Sequence, residues 1–180
     1  IDACEQAEVC FAIGQTARFS PGHQVVTDRL ANGKLGDPGL LRVHRWRSSS
    51  DQSVAEKVFG DVDLAIRLFG SMPTEVYALG QGSAGVPDYI QVHLGFSAGG
   101  MAVLDFSSRL PGGQGYDSLS LIGSRGAAYA DDHHNTHLLY AGGDPTALIS
   151  DAGGGHFGEL QVFVDAIRTE SGTPTVGDEC

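Results

Sequence analysis

The sequence predicts an α+β fold: an open, mostly antiparallel β-sheet of about six strands, with helices on one face and the other face used for oligomerisation. Three observations predict it. One long segment, Val54–Gly70 (VAEKVFGDVDLAIRLFG), carries apolar residues at helical spacing. Almost everything after Met72 reads instead as short strands separated by turn residues. In the best of these, Asp88–Phe96, the alternation leaves apolar side chains on a face that no spare helix can cover. One long helix beside many strands is satisfied by a sheet with the helix across it, and an apolar second face calls for a partner subunit.

Taken in order, Ile1–Ala7 has the composition of the last two turns of a helix, and Val9–Ile13 is a short run of strand formers. Pro21 suits the first position of a helix capped by Ser20, carried by Val25, Val26, Arg29 and Leu30 and ended by Asn32-Gly33. Leu35–Gly39 is a turn and Leu40–Arg47 (LLRVHRWR) a long strand. Ser48–Gln52 is a polar loop. Ser53 caps the central helix, with Glu56 as its capping-box partner. The apolar stripe is Val54, Val58, Val62, Ala65, Ile66 and Phe69, with Asp61 facing solvent, and Gly70 stops the helix ahead of Pro73. Strands follow at Thr74–Gly80, Asp88–Phe96, Met101–Ser107, Tyr116–Ile122, Ala127–Asp131 and Thr136–Tyr140. Phe157–Ile167 closes as an amphipathic helix with Phe157, Leu160, Val164 and Ile167 inward. The tail from Ser171 is polar and loose.

A chain of 180 residues is long enough for one domain that buries roughly 70% of its unfolded surface. Gly, at 26 residues, is about twice the usual ~7% and is scattered among apolar runs, which means turns and bulges and not disorder. The net charge of −11 argues against nucleic acid as a partner, because a phosphate backbone needs a clustered basic face. No run of 18 apolar residues is present, so no membrane span is expected. The three cysteines, at 4, 10 and 180, fit neither a disulfide framework nor a zinc spacing; free thiols fit a reducing compartment, and a cytoplasmic location is expected.

Several residues could carry chemistry. Gln15, Thr16 and Arg18 follow the strand Val9–Ile13 at its carboxyl end, where ligands gather in open α/β sheets; the competing reading is a hinge with Arg18 paired to an acid. Glu56, Asp61 and Asp63 crowd one helix and could contact a polar substrate, or could cap the helix and face water. Trp46, the only Trp, could stack on a sugar ring or pack in the core. The run Asp131–His137 (DDHHNTH) has the residue types of a transition-metal site. In a strand, however, His133 and His137 share a face while His134 points away, so a polar strand end or interface is expected and no metal ligand is assigned. His156 reads as a surface residue. The Gly112–Gly115 and Gly153–Gly155 stretches are not phosphate loops: neither follows a strand and opens a helix with Lys-Ser/Thr.

The order of motifs resembles the C-terminal domain of the Gfo/Idh/MocA oxidoreductases, of the glucose–fructose oxidoreductase and inositol dehydrogenase type. RFSP followed by a helix and NGKLGDPGLLRV, then DLAIRLFGSMPTEVYA, then DYIQVHLGFSAGGMAVLDFS with LSLIGSRGAAYADD, and finally GELQVFVDAIRTESGTPTV span nearly the whole chain. The resemblance implies an enzyme that oxidises or reduces sugars or polyols with NAD or NADP held in a preceding Rossmann domain. This chain would supply the substrate-binding and oligomerisation domain (residues 15–170) after a remnant of a Rossmann helix and strand (1–14), with 171–180 as tail. No cofactor is expected in this chain, which has no G-x-G-x-x-G opening and no Glu-Lys-Pro motif near its start. The small-molecule partner would be a sugar or polyol, the assembly a homo-oligomer through the sheet face, and the substrate contacts Gln15, Arg18, Trp46, Glu56 and Asp61. The family places an Asp and a His four residues apart at the start of the central helix; aligned on Asp63, those positions hold Glu56 and Gly60. Glycine cannot serve as the base an alcohol oxidation needs, so no catalytic residue is assigned. The alternative is a stand-alone, non-catalytic binding or assembly module derived from such an enzyme.

Overall fold

The computed structural model describes residues 2–48, 54–83, 86–110, 115–131, 136–140, 146–148 and 155–169. Ser53, most of the Asp131–His137 cluster (132–135), Gly112–Gly113 and the tail from residue 170 therefore lie outside the described residues. The chain divides into two compact units: Gly22–Ser150, and the two chain ends, Ile1–Pro21 with Asp151–Cys180.

The larger unit is built on one eight-stranded sheet in the order β2-β3-β4-β1-β5-β6-β7-β8. Its strands are β1 (Pro38–Trp46), β2 (Glu75–Ser83), β3 (Val86–Gly95), β4 (Met101–Ser107), β5 (Tyr116–Gly123), β6 (Ala127–Asp131), β7 (Thr136–Tyr140) and β8 (Thr146–Leu148). The expected strands are all present except the earliest; β8, three residues long, exceeds the expectation of about six. Every pairing is antiparallel but one: β1 runs parallel to β4, with Val43 opposite Leu104. A parallel pair needs a crossover, and the chain makes it through α3 (Val54–Phe69) and the β2–β3–β4 meander.

The core lies between α3 and one face of the sheet. Leu41 and Val43 of β1, Leu104 of β4 and Leu121 of β5 are fully shielded, with Val92, Leu119 and Ala128 beside them, and α3 packs over β1 and β4. Helix α2 (Pro21–Ala31) adds Val26, and Leu35 seals the end of the turn that precedes β1. The face α3 buries is centred on Asp61, Leu64, Ala65 and Leu68, while Val58, Val62 and Phe69 flank it. This corrects the sequence reading by a fraction of a turn. Asp61 is only 5% exposed; treating it as a solvent residue rotates the stripe away from its true centre. Gly70 ends the helix at φ 65°, a left-handed cap that favours glycine. In the β3–β4 turn, Gly100 sits at φ 90°, and a Cβ there would lie 2.5 Å from the Phe69 ring and 2.9 Å from the Pro38 carbonyl oxygen. The turn thus closes against α3 only because it has no side chain. Phe69 in turn stacks on Phe96, with ring centroids 4.2 Å apart.

The smaller unit differs from expectation in two ways. Helix α1 (Asp2–Gln6) forms, but among the described residues no strand pairs with Val9–Ile13, and Val9 and Ile13 are exposed. Strand-forming composition without a neighbouring strand leaves an extended segment only. Helix α4 (Gly155–Arg168) also forms, yet Phe157, Leu160, Val164 and Ile167 all face outward; Ala166 is its one buried residue. The apolar stripe is real, but the side of the helix that packs within the unit is the opposite one. The Gly153–Gly155 stretch lies between β8 and α4, which corrects the expectation that no strand precedes it, although no Lys-Ser/Thr pair opens the helix.

Candidate functional site

Alternation along β1 sends Leu41, Val43 and Arg45 to the helix-covered face and Arg42, His44 and Trp46 to the other. Arg45 therefore enters the edge of the core, where a guanidinium must find partners. It finds three. Its Nε and Nη2 donate to Asp61 Oδ2 and Oδ1 at 3.1 and 2.8 Å, a fork on a carboxylate of α3. Nη2 also lies 3.0 Å from His23 Nε2 on α2. Nη1 is 3.9 Å from Asp117 Oδ2 on β5, and Asp117 in turn takes a second fork from Arg47. Four elements are thus tied together beneath the carboxyl ends of β1 and β4, the one parallel pair in the described sheet. Carboxyl ends of parallel strands are where open sheets receive ligands, and the rim above is charged: Arg47 is half exposed and Arg109 is bonded to Asp88 at 2.9 Å.

His23 is the only group of this network with a resolved perturbation. Burial first, and the Arg45 charge second, lower its pKa from 6.5 to about 4, against the pull of Asp61 and Asp63. The ring is neutral at pH 7 and its Nε2 accepts from Arg45. A histidine whose folded pKa lies below its unfolded value gives stability that is complete above pH 6.5 and lost as pH falls towards 4. We expect the urea-derived unfolding free energy to fall by about 2 kcal/mol more between pH 7 and pH 5 in the native chain than in His23→Gln. Equal slopes in the two proteins would contradict this assignment.

The uncovered face carries a second cluster. Asp105 of β4, opposite His44 in the register, accepts from Trp46 Nε1 at 3.1 Å and lies 3.1 Å from His44 Nδ1. The Trp46 ring is tilted against Tyr116 at 5.1 Å and edge-on to His44 at 5.6 Å. Around this cluster the face exposes Tyr77, Leu79, Tyr89, Tyr129 and Met101, the last 51% exposed.

The five residues singled out in the sequence are therefore spread. Asp61 is buried on the helix side of the sheet and Trp46 lies on the opposite face, so no single ligand touches both. Glu56 is exposed in the first turn of α3. Gln15 and Arg18 belong to the smaller unit, where Gln15 is buried and precedes a 3-10 turn, Thr16–Phe19, that contains Arg18. Arg45 and His23 were the residues that sequence reasoning missed. The available signal was parity: an Arg in phase with Leu41 and Val43 requires a buried acid.

In the smaller unit α4 sits close on the 3-10 turn. A Cβ on Gly155 would lie 3.2 Å from Thr16 Cγ2, and one on Gly158 3.0 Å from the Phe19 ring. Thr16 Oγ1 donates to Glu159 Oε2 at 2.8 Å, with His156 Nδ1 3.4 Å from the same hydroxyl. Gly153, Gly155 and Gly158 match G-x-G-x-x-G in spacing, but the last two are spent on close packing, and the Glu159 carboxylate stands where a pyrophosphate would need a positive helix end. The described residues do not fit a dinucleotide.

With this geometry in place, comparison with known proteins is decisive on ancestry. Residues 23–129 match the GFO/IDH/MocA C-terminal domain, more than half of the chain. The chain belongs to this family. Curated relatives include an uncharacterised oxidoreductase YrbE of Bacillus subtilis, 27% identical over 95% of this chain and 57% of its own length. Another is the myo-inositol 2-dehydrogenase of Thermotoga maritima, 28% identical over 77% of this chain and 46% of its own. Among solved structures, a UDP-N-acetylglucosamine 3-dehydrogenase from Acidithiobacillus ferrooxidans superposes with a TM-score of 0.82 at 21% identity, over 99% of this chain and 59% of that one. An aldose-aldose oxidoreductase from Caulobacter crescentus gives 0.77 at 19%, over 98% and 58%. The chain thus spans about half to three-fifths of the length of these relatives. No helix among the described residues is long and apolar enough to cross a membrane.

Proposed function

We propose that the chain is the substrate-binding and oligomerisation domain of an NAD(P)-dependent sugar or polyol dehydrogenase whose dinucleotide is held outside these 180 residues. The observation that carries the reading is the family match over residues 23–129, on a sheet with one face under α3 and the other bare. The named activities of the relatives, on myo-inositol and on a nucleotide sugar, point to polyhydroxylated substrates. Such a substrate is bound by charged and amide side chains; Gln15, Arg18 and Glu56 are the proposed contacts, and Asp61 is a positioning residue acting through Arg45. The test is the protein expressed from the gene's complete reading frame, supplied with NAD+ or NADP+ and a panel of polyols, aldoses and nucleotide sugars. Substrate-dependent reduction of the dinucleotide supports the reading, and none across the panel rejects it.

The bare face, with Trp46 held between Tyr116, His44 and Asp105, is the proposed self-association surface and not a sugar platform. Sedimentation of the purified chain is expected to show a dimer or larger species. Tyr89→Lys with Met101→Lys is expected to raise its dissociation constant by at least about 100-fold, since two exposed apolar anchors become buried charges. Unchanged sedimentation would place the interface elsewhere. A second reading, a non-catalytic assembly module, is favoured by Gly60, which stands where the resemblance puts a histidine base.

A further inference from the structure

The smaller unit has almost no interior of its own. Of its described residues only Gln15 and Ala166 are buried, and none belongs to the hydrophobic core cluster. Yet it displays Phe157, 72% exposed, with Leu160, Val164 and Ile167 in one stripe along α4. The stripe is held outward because the opposite side of α4 is fixed to the 3-10 turn by Gly155, Gly158 and the Thr16–Glu159 bond. Close to the start of that helix, where a Cβ on Gly14 would stand 2.8 Å from Glu159 Oε1, ends the extended segment Val9–Ile13. That segment follows a helix ended by Glu8 at φ 52°, and no strand among the described residues pairs with it. Glu159 Oε1 is itself buried without a hydrogen-bond partner among the described residues.

Extended backbone with strand-forming side chains and no neighbour is a template for strand addition. A solvent-facing stripe of four large apolar residues beside it requires a cover. Both are met by one kind of occupant: a domain that brings the edge of a β-sheet to residues 9–13 and an apolar layer to α4. We propose that the stripe Phe157–Leu160–Val164–Ile167 and the segment Val9–Ile13 are one docking surface, and that its occupant is an α/β dinucleotide-binding domain of the same gene product. This rests on the reading under Proposed function; the relatives' additional length leaves room for such a domain.

The test compares the protein from the complete reading frame with the 180-residue chain. In the longer protein, the amides of Cys10–Ile13 are expected to exchange with solvent at least about 100-fold more slowly than in the chain. Phe157→Glu with Leu160→Glu is expected to lower the melting temperature of the longer protein while leaving that of the chain unchanged, since both side chains are already solvated there. The inference is overturned if the longer protein binds NADH or NADPH yet shows neither the protection nor the selective loss, in which case the parent reading stands. If the longer protein binds neither dinucleotide, both fail together.

Discussion

Replacing Asp61 with alanine lowers the stability of the sheet unit by about 3–5 kcal/mol, the range for removing one partner of a buried ion pair. The size follows from what the change leaves behind. Asp61 is shielded from water and holds the Arg45 guanidinium in a two-bond fork. Without it, Arg45 retains Asp117 at 3.9 Å and His23 at 3.0 Å. The first contact is too long to replace a fork and the second is to a neutral ring. The pair itself need not be a large net stabiliser, because desolvating both ions offsets much of their attraction. Arg45→Met combined with Asp61→Leu is therefore expected to recover most of the loss. Urea unfolding of the two single variants and the double variant checks this: additive losses would mean that the two residues do not act as a pair.

Leu104→Ala is expected to cost about 2–5 kcal/mol, the range for emptying a fully buried leucine site. Leu104 has no solvent exposure and stands opposite Val43 on one side and Val92 on the other, under α3. Its neighbours belong to three strands locked by their ladders, so the site cannot easily collapse. Calorimetric melting of the variant decides it. A loss near 1 kcal/mol would show that α3 settles into the space.

The contrast between what the sequence showed and what it hid follows from where each partner lies along the chain. Helix α3, the β3–β4 hairpin and its Gly99–Gly100 turn depend on neighbours within about twenty residues, and their periodicity and turn chemistry are read directly. The parallel pairing of β1 with β4 depends on a crossover of more than fifty residues, and nothing local announces it. The Arg45–Asp61 fork and the Trp46–Asp105 bond both follow from that pairing and from the packing of α3. Hence Asp61 looked like a surface acid and Trp46 like a ligand platform. Helix α4 shows a different limit: periodicity identifies an apolar stripe but not whether this chain supplies what covers it. Phe157, Leu160, Val164 and Ile167 were placed correctly along the helix and wrongly with respect to solvent. The alternating strand Asp88–Phe96 gave the bare sheet face, and the motif series gave the family; neither gave a substrate, because Gln15, Arg18 and Glu56 have chemistry that many polar ligands would satisfy.

The central claim, that this domain serves a dinucleotide bound elsewhere in the same protein, is tested most directly by titrating NADH and NADPH into the 180-residue chain and into the protein from the complete reading frame, following nicotinamide fluorescence. The account predicts no binding to the chain at concentrations where the longer protein saturates with one of the two. Saturable binding by the chain itself, or none by the longer protein, would contradict it.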